Sequence, residues 1–521
     1  MMQRRLKTTM KLNKPLIWIW YPLVQLLLAC GPVIAAVPRP NIILILADDL
    51  GWADPGFNGG DPALTPNIDR LAREGTRFQQ FLMTPVCATT RAALLTGRYP
   101  FRSWMDWRSE DFGKPSYLRL LGQELAHLPD GTPTRRLHGL PTAERTLAEA
   151  VGEVGYETAL IGKWHLGEWL PEQLPMGQGF DHQYGHYGWG IDYNTYTIPH
   201  NAPAIFCVYD WHRDQQPVYE QGYATDLIAN EAVRLIAQRQ PNRPFFHYVA
   251  FNAIHGPLEE IPRHQHLEKR SAAIRCLDEA VGRIVGAVDQ AGLAEETLVI
   301  FTNDNGGLTE AVNRPWRGTK NTTYEGGIRV PFVARWPGTI AAGAANGELL
   351  HVTDLYPTLV RLAGGSLEQN LPIDGIDQRE TLLAAQPSRR TEVIVEVSGS
   401  VRPPTIRHGQ HKLIGPALYD LEQDPTERQD VAAAHPELVK TLQKRLAEVA
   451  ATRPPLGPLV QLMEPALPDV YGREENAAAP AWLRRHVKAL RASQPQSYPP
   501  GTTPWPQPPR DGQITYTGDG R

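Results

Sequence analysis

Four apolar runs in this chain end abruptly in side chains that can hold metals, move protons or bind anions. Asn41-Ile42-Ile43-Leu44-Ile45-Leu46-Ala47 runs into Asp48-Asp49, and Tyr156 to Ile161 runs into Gly162-Lys163-Trp164-His165. Phe245 to Phe251 leads to Asn252 and His255, and Thr297 to Phe301 leads to Asn303-Asp304-Asn305-Gly306-Gly307. Any one of these ends, taken alone, reads as a solvated turn. Together they deliver carboxylates, a lysine and two histidines to one edge, provided the runs are neighbouring strands. A further segment, Cys87-Ala88-Thr89-Thr90-Arg91 through Gly97, reads as a loop entering a helix that Gly97 stops. A sulfur at a helix N-terminus beside an arginine sits where backbone N–H groups and the dipole favour an anion. A lone thiol is more often a small buried side chain, but here the arginine and the cysteine count weigh toward chemistry.

The elements that must position these residues are legible in the same runs. Uninterrupted aliphatic stretches read as strands buried on both faces, the mark of a parallel or mixed sheet covered by helices. Helices are predicted over Pro66 to Glu74, with Thr65 as N-cap and Pro66 first, over Ala143 to Val154, and over Ser271 to Ala291. Thr90 is a candidate cap for the helix after Cys87. In such α/β sheets ligands bind outside the carboxyl ends of the strands. Farther on, Glu392 to Val397 and His411 to Ile414 read as short strands and Pro436 to Ala450 as an amphipathic helix. After Arg453 the chain is proline-rich, with a helix expected at Ala481 to Ala492. Gln494 to Arg510 is too rich in Pro and Gln for a packed element, so coil that wraps the main domain is expected.

With 521 residues, 42% hydrophobic and 21% charged, the composition is that of a globular protein and excludes a disordered or fibrous chain. A formal net charge of -4 offers no broad basic field, so nucleic acid is not an expected partner. Arg4, Arg5, Lys7, Lys11 and Lys14 precede the apolar stretch Pro15 to Ala29 and the small residues Val33-Ile34-Ala35-Ala36. That order describes a secretory signal over residues 1–36 and a secreted or periplasmic protein. The stretch is short and broken by Pro22 and Gln25, so no stable transmembrane span is expected. A retained anchor is the alternative, as is lipoprotein attachment through Cys30 in Leu27-Leu28-Ala29-Cys30. Beyond Cys30, three cysteines remain, Cys87, Cys207 and Cys276. An odd number leaves at least one thiol unpaired, and a Cys207–Cys276 disulfide is open.

Cys87-x-Thr89-x-Arg91 followed by Leu95-Thr96-Gly97-Arg98 resembles the signature of the type I sulfatases, in the alkaline phosphatase-like superfamily. The resemblance spans most of residues 40–435. It takes in Asp48-Asp49, Gly162-Lys163-Trp164-His165-Leu166-Gly167, His255-Gly256-Pro257-Leu258 and Asp304-Asn305-Gly306. It continues through Lys320 to Gly327 and ends with Leu418-Tyr419-Asp420-Leu421. One block is weak; six in the family's order are specific. The sequence departs at Thr89, where the family usually has Pro, Ala or Ser.

The resemblance implies a large mixed, mostly parallel sheet flanked by helices, with a small C-terminal antiparallel sheet plus helix. The domains expected are 37–388 for catalysis, 389–452 for the small subdomain and 453–521 for the extension. It implies that Cys87 is oxidised to formylglycine by a maturation enzyme and that its hydrate attacks sulfur, Asp304 accepting the proton. Asp48, Asp49, Asp304 and Asn305, with Cys87 in its modified form, would hold Ca²⁺, with Mg²⁺ as the alternative; hard oxygen donors suit these ions better than zinc. Arg91 and Lys163 would orient the hydrate, and His255 and Lys320 would bind sulfate, His255 protonating the leaving group. His165 would take a proton from the second hydroxyl so that sulfate leaves. Glu325-Gly326-Gly327 is read as structural, the glycines allowing close backbone approach beside the site.

Substrate choice is less marked. Met176 to His200 carries His182, Tyr184, His186, Tyr187, Trp189, Tyr193 and Tyr196 among glycines, which suits either a sugar or aryl platform or a plain aromatic core. Gly188 to Tyr196 with Asp210-Trp211-His212 is faintly similar to the arylsulfatase B (N-acetylgalactosamine 4-sulfatase) branch. The expected substrate is a sulfated small molecule or glycan. Two rival readings are a phosphodiesterase or phosphonate monoester hydrolase of the same superfamily, and an unmodified sulfatase-like protein that holds sulfated glycans without cutting them.

Overall fold

The computed structural model describes residues 39–103, 105, 123–127, 133–137, 139–167, 171–197, 209–397, 402–454, 459–461 and 515–517. These belong to one compact unit, Arg39–Arg521. The signal segment 1–36 with Cys30, Cys207 and the helix expected at Ala481 to Ala492 lie outside the described residues.

In chain order the strands are β1 (Asn41–Ala47), β2 (Thr76–Leu82), β3 (Gln123–His127), β4 (Pro133–Leu137), β5 (Glu157–Lys163), β6 (His182–His186), β7 (His212–Arg213), β8 (Gln216–Pro217) and β9 (Phe245–Ala250). They continue as β10 (Thr297–Asn303), β11 (Phe332–Arg335), β12 (Ala344–His351), β13 (Glu392–Glu396), β14 (Thr405–His408), β15 (His411–Ile414), β16 (Ala417–Asp420), β17 (Leu459–Gln461) and β18 (Thr515–Thr517). A sheet of 10 strands runs β12-β2-β11-β10-β1-β9-β5-β6-β7-β8. Its middle, β10-β1-β9-β5-β6, is parallel throughout. Strand β11 pairs antiparallel with both β10 and β2, and β7 and β8 close the other side antiparallel, so the sheet is mixed as expected.

Two-sided burial explains why β1 is aliphatic at every position from Ile42 to Ala47. Ile43, Ile45 and Ala47 enter one core, packed by the helices Pro66–Glu74, Ala224–Gln238 and Lys269–Gln290. Ile42, Leu44 and Leu46 enter the opposite core, packed by Cys87–Thr96, Leu147–Gly152 and Leu355–Leu362. Side chains alternate across a strand, so each residue from Ile42 to Ala47 serves one core or the other. Burying each large aliphatic side chain contributes about 1.5–3 kcal/mol.

Several local expectations are revised. The helix expected from Ala143 begins at Leu147, because Thr146 and Glu149 form a reciprocal capping box there. Thr65 stands at its expected N-cap position without capping the helix through its side chain, whereas Thr90 lies inside the helix Cys87–Thr96, whose N-cap position is Val86. Thr65 Oγ1 accepts from the Gly56 N–H at 2.8 Å, and Thr90 Oγ1 accepts from the Thr84 N–H at 3.1 Å. Gly97 does stop its helix, at φ 69° with its N–H on the Ala93 carbonyl.

Strands β13 to β16 form a separate antiparallel sheet of 4 strands. Ile394, Ile406, Leu413 and Leu418 pack there with Leu442, Leu446 and Val449 of the helix Pro436–Ala450. Gln494 to Arg510, expected as coil, lies outside the described residues, whereas β17 and β18 of the extension join the β3–β4 hairpin in a third sheet. Among the described residues, no helix is long and apolar enough to cross a membrane.

Candidate active site

The parallel register carries the reactive side chains to the same edge. Ala47 pairs with Asn303, so Asp48 and Asp304 emerge side by side, and the Asp304 N–H bonds the Ala47 carbonyl at 3.1 Å. Asp48 exchanges backbone bonds with the segment after β9, at 2.8 Å with Ala253 and 2.6 Å with Ile254, which places His255 next to it in the chain trace. Lys163 ends β5. Asp49 and His165 adopt left-handed backbone conformations, φ 62° and 61°. Such conformations are uncommon for side-chain-bearing residues and are tolerated where the surroundings enforce them.

Asp48 Oδ2 accepts from Lys163 Nζ at 2.6 Å and Arg91 Nη2 at 3.1 Å. The same Nη2 donates to Asp304 Oδ2 at 2.9 Å, and Arg91 Nη1 donates to the Lys163 carbonyl at 2.8 Å. Arg91 is wholly buried, so its fork is a fixed brace between two strand ends. Asp49 Oδ1 accepts from Lys320 Nζ at 2.6 Å and Asn305 Nδ2 at 2.8 Å. His255 Nε2 stands 3.9 Å from Asp49 Oδ2, while His255 Nδ1 lies 2.7 Å from the Gly256 carbonyl. Nδ1 therefore carries the proton, and Nε2 is the nitrogen presented to the site.

One oxygen on each of Asp48, Asp49, Asp304 and Asn305 is left over. Asp48 Oδ1, Asp49 Oδ2, Asp304 Oδ1 and Asn305 Oδ1 are buried and accept no hydrogen bond. Orphaned buried acceptors are costly, and four hard oxygens at one set of strand ends fit a hard divalent cation. Donor atoms of Asp48, Asp49 and His255 lie within 4.8 Å of one another. For a hard cation the oxygens are better suited as donors than the imidazole.

The electrostatics follow from crowding. Burial works to raise the Asp48 pKa, but Lys163, His255, Lys320 and Arg91 together hold it well below the usual carboxylate range. Burial and the neighbouring Asp48 charge push Asp304 up to about 7. Burial, Lys320 and Lys163 bring His255 down to about 4. Lys320 is held firmly protonated: burial opposes its charge, and Cys87, Asp49, Asp48 and Asp304 outweigh it.

Cys87 opens the helix Cys87–Thr96 and is nearly buried, with Arg91 one turn later. Burial pushes its thiol up against the pull of Lys163 and Lys320, so it is not poised as a thiolate. Thr89 Oγ1 donates to the Val86 carbonyl at 2.6 Å and also contacts Thr84 Oγ1. His165 sits half-buried two residues past Lys163, its N–H on the Tyr187 carbonyl at 3.0 Å. Cys276 is a free buried thiol that takes a bond from Arg263.

The aromatic stretch is mostly core. Tyr184, Tyr187, Tyr193 and Tyr196 are buried, and three of them pack with Trp211 and Tyr223. Trp189 is the half-exposed member, edge-on to His255 with ring centroids 5.7 Å apart. Tyr193 plays a supporting part that its sequence does not reveal: its hydroxyl bonds the carbonyls of Asn252 at 2.9 Å and His255 at 2.7 Å. Gly326 and Gly327 are where side chains cannot fit. A Cβ there would come within 2.4 Å of the Gly318 carbonyl oxygen and 2.1 Å of the Thr322 carbonyl oxygen.

A mixed sheet with carboxylates, cationic side chains and a candidate metal site at its carboxyl edge has the architecture of the alkaline phosphatase-like class. The comparisons narrow this. The sulfatase family profile matches residues 40–366. The chain is 35% identical to human arylsulfatase A over 81% of this chain and 89% of that protein. It is also 35% identical to mouse N-acetylgalactosamine-6-sulfatase, over 70% of each. Among solved structures, that of Ps i-CgsB in complex with k-i-k-neocarrahexaose superposes with a TM-score of 0.69 at 30% identity, covering 80% of this chain and 94% of that one. The chain belongs to the sulfatase family and is a sulfuric ester hydrolase.

Proposed function

We propose that the chain cleaves sulfate monoesters on carbohydrates, using formylglycine made from Cys87 and a bound divalent cation, calcium with magnesium as the alternative. The observation that carries this reading is the set of four unpaired oxygens on Asp48, Asp49, Asp304 and Asn305 beside Cys87 at its helix start. Carbohydrate is favoured because one relative is named an N-acetylgalactosamine-6-sulfatase and one solved neighbour holds k-i-k-neocarrahexaose. Trp189, the aromatic wall against His255, supplies a face for a leaving group's ring.

When bound, the cation supplies Lewis acidity and a template for sulfate oxygens, and the formylglycine hydrate supplies an oxygen nucleophile. The chain's own residues do the rest. Arg91 and Lys163 hold Asp48 ionised and fix the helix start against the strand ends. Lys320, fixed on Asp49, places an ammonium for a sulfate oxygen, a preorganised charge of the kind that stabilises a developing oxyanion. His255 presents Nε2 toward the same place, and the negative charge of a bound sulfate ester raises its proton affinity for protonating the leaving oxygen. Asp304 is the acceptor for the nucleophile's proton, and His165 for the proton released when sulfate departs.

The same proposal includes a catalytic domain over 37–388 with a small subdomain over 389–452, maturation by a formylglycine-generating enzyme, and export directed by residues 1–36. Cys30 lipidation is the alternative fate of the N-terminus. The test is the mass of the tryptic peptide Phe78 to Arg91 from native-host protein, together with turnover of aryl sulfate against aryl phosphate mono- and diesters. Aldehyde at position 87 with sulfate ester preferred is the expected result. A free thiol in a host that matures other sulfatases, or dominant phosphodiester cleavage, overturns it.

A further inference from the structure

Arg402 is an expensive residue for the place it occupies. Its side chain is 6% exposed, and its carboxylate partner Glu396 is 3.8 Å away. Burial lowers its pKa, with Glu396 opposing. A buried cation held this loosely is poor value for stability. Its well-made bonds go elsewhere: Nε donates to the Asn321 carbonyl at 2.9 Å and Nη2 to Asn321 Oδ1 at 3.1 Å. Asn321 follows Lys320 directly, in a left-handed conformation of φ 70°. Its N–H bonds the carbonyl of Pro85, two residues before Cys87, at 2.9 Å, and the Lys320 N–H bonds the Gly307 carbonyl at 3.0 Å. Asn321 is thus the joint between the Cys87 loop and the Lys320 loop, and Arg402 clamps it from outside the large sheet. Thr405 on β14 supports the same loop through Thr323, at 3.0 Å.

We propose that Arg402 is a positioning residue for sulfate binding, fixing Lys320 relative to Cys87 through bidentate recognition of Asn321. The inference rests on the proposed sulfate-ester site. A guanidinium fork defines both distance and plane, which an ammonium cannot. Misplacing a reactive group by about 1 Å costs on the order of 100-fold in rate.

The test uses full-length matured protein and compares wild type, Arg402→Lys and Arg402→Ala. The readouts are calorimetric binding of inorganic sulfate, turnover of 4-nitrophenyl sulfate, melting temperature, and both activities with added guanidinium. Both variants are expected to lose about tenfold or more in sulfate affinity and in kcat/KM. Guanidinium is expected to restore part of the loss in Arg402→Ala alone. Wild-type sulfate affinity in Arg402→Lys refutes the clamp, and so do losses in Arg402→Ala that track melting temperature and ignore guanidinium. If Arg402→Ala does not fold, the sulfate affinity of Arg402→Lys decides alone. A wild-type protein that turns over no sulfate ester sinks the proposed function; an active wild type with unimpaired variants sinks only this inference.

Discussion

Stripping the divalent cation should lower the melting temperature by several degrees, and the strand-end oxygens set the scale. A buried acceptor without a partner costs about 1–3 kcal/mol, so the four on Asp48, Asp49, Asp304 and Asn305 carry a penalty on the order of 4–12 kcal/mol for a cation to relieve. What a melt registers is linkage: free ion at about 1,000 times its dissociation constant adds about 4 kcal/mol to the folded state. Unfolding entropy near 2.1 cal/mol/K per residue, over the roughly 400 described residues, amounts to about 0.8 kcal/mol/K. The expected shift is therefore about 5 °C. The assay is calorimetric or fluorescence melting of chelator-stripped protein titrated with Ca²⁺ and separately with Mg²⁺. Asp49→Asn removes one proposed anionic ligand and the partner of Lys320, so its response should need more ion. A melting temperature indifferent to both ions refutes the reasoning, as does an Asp49→Asn titration that overlays the wild type.

Other consequences follow from the same contacts. His255→Ala should slow poor leaving groups much more than activated aryl sulfates, and equal losses across a leaving-group series would remove His255 as the acid. Lys412 is fully buried between Glu325 at 3.0 Å and Glu427 at 2.8 Å, and Glu427 also accepts from the Glu325 N–H at 2.7 Å. Lys412→Met leaves Glu325 to Arg407 and Arg329, and Glu427 to the Glu325 N–H, and should cost about 3–5 kcal/mol in denaturant melts; a loss below about 1 kcal/mol refutes the buried-pair account. His247 is held neutral inside, burial and then His182 bringing it down to about 3, whereas the unfolded chain protonates it near 6.5. Its contribution is complete above pH 6.5 and is lost as pH falls toward 3, on the order of 5 kcal/mol in all. His247→Phe should flatten the fall in urea midpoint between pH 7 and 4, and parallel profiles for the two proteins would refute the assignment.

Much of the site is legible in the sequence because burial on both faces leaves a strand little freedom of composition. A run such as Ile42 to Leu46 must be aliphatic throughout, so Asp48 and Asp49 stand out at its end, as Asp304 does after Phe301. Residue type then limits the chemistry: oxygen donors for a hard cation, amines and imidazoles for an anion. The aromatic stretch shows where this kind of reading stops. Tyrosine and tryptophan have the same signature whether they stack on a ligand or fill a core, and only packing separates Tyr193, stacked on Tyr223, from Trp189 beside His255.

The sequence by itself therefore determined the α/β class and the order in which the candidate reactive residues arrive. Tertiary structure alone decided who holds whom. Arg91 meets Asp304 across 213 positions, Lys163 meets Asp48 across 115, and Arg402 meets Asn321 across 81. No local pattern encodes such partners, because strand order and register bring them together after the chain has collapsed. Arg402 and Lys412 read as ordinary charges in a short strand region until the small sheet is placed against the Lys320 loop. There, burial turns each charge into a directed contact that only its partner can satisfy.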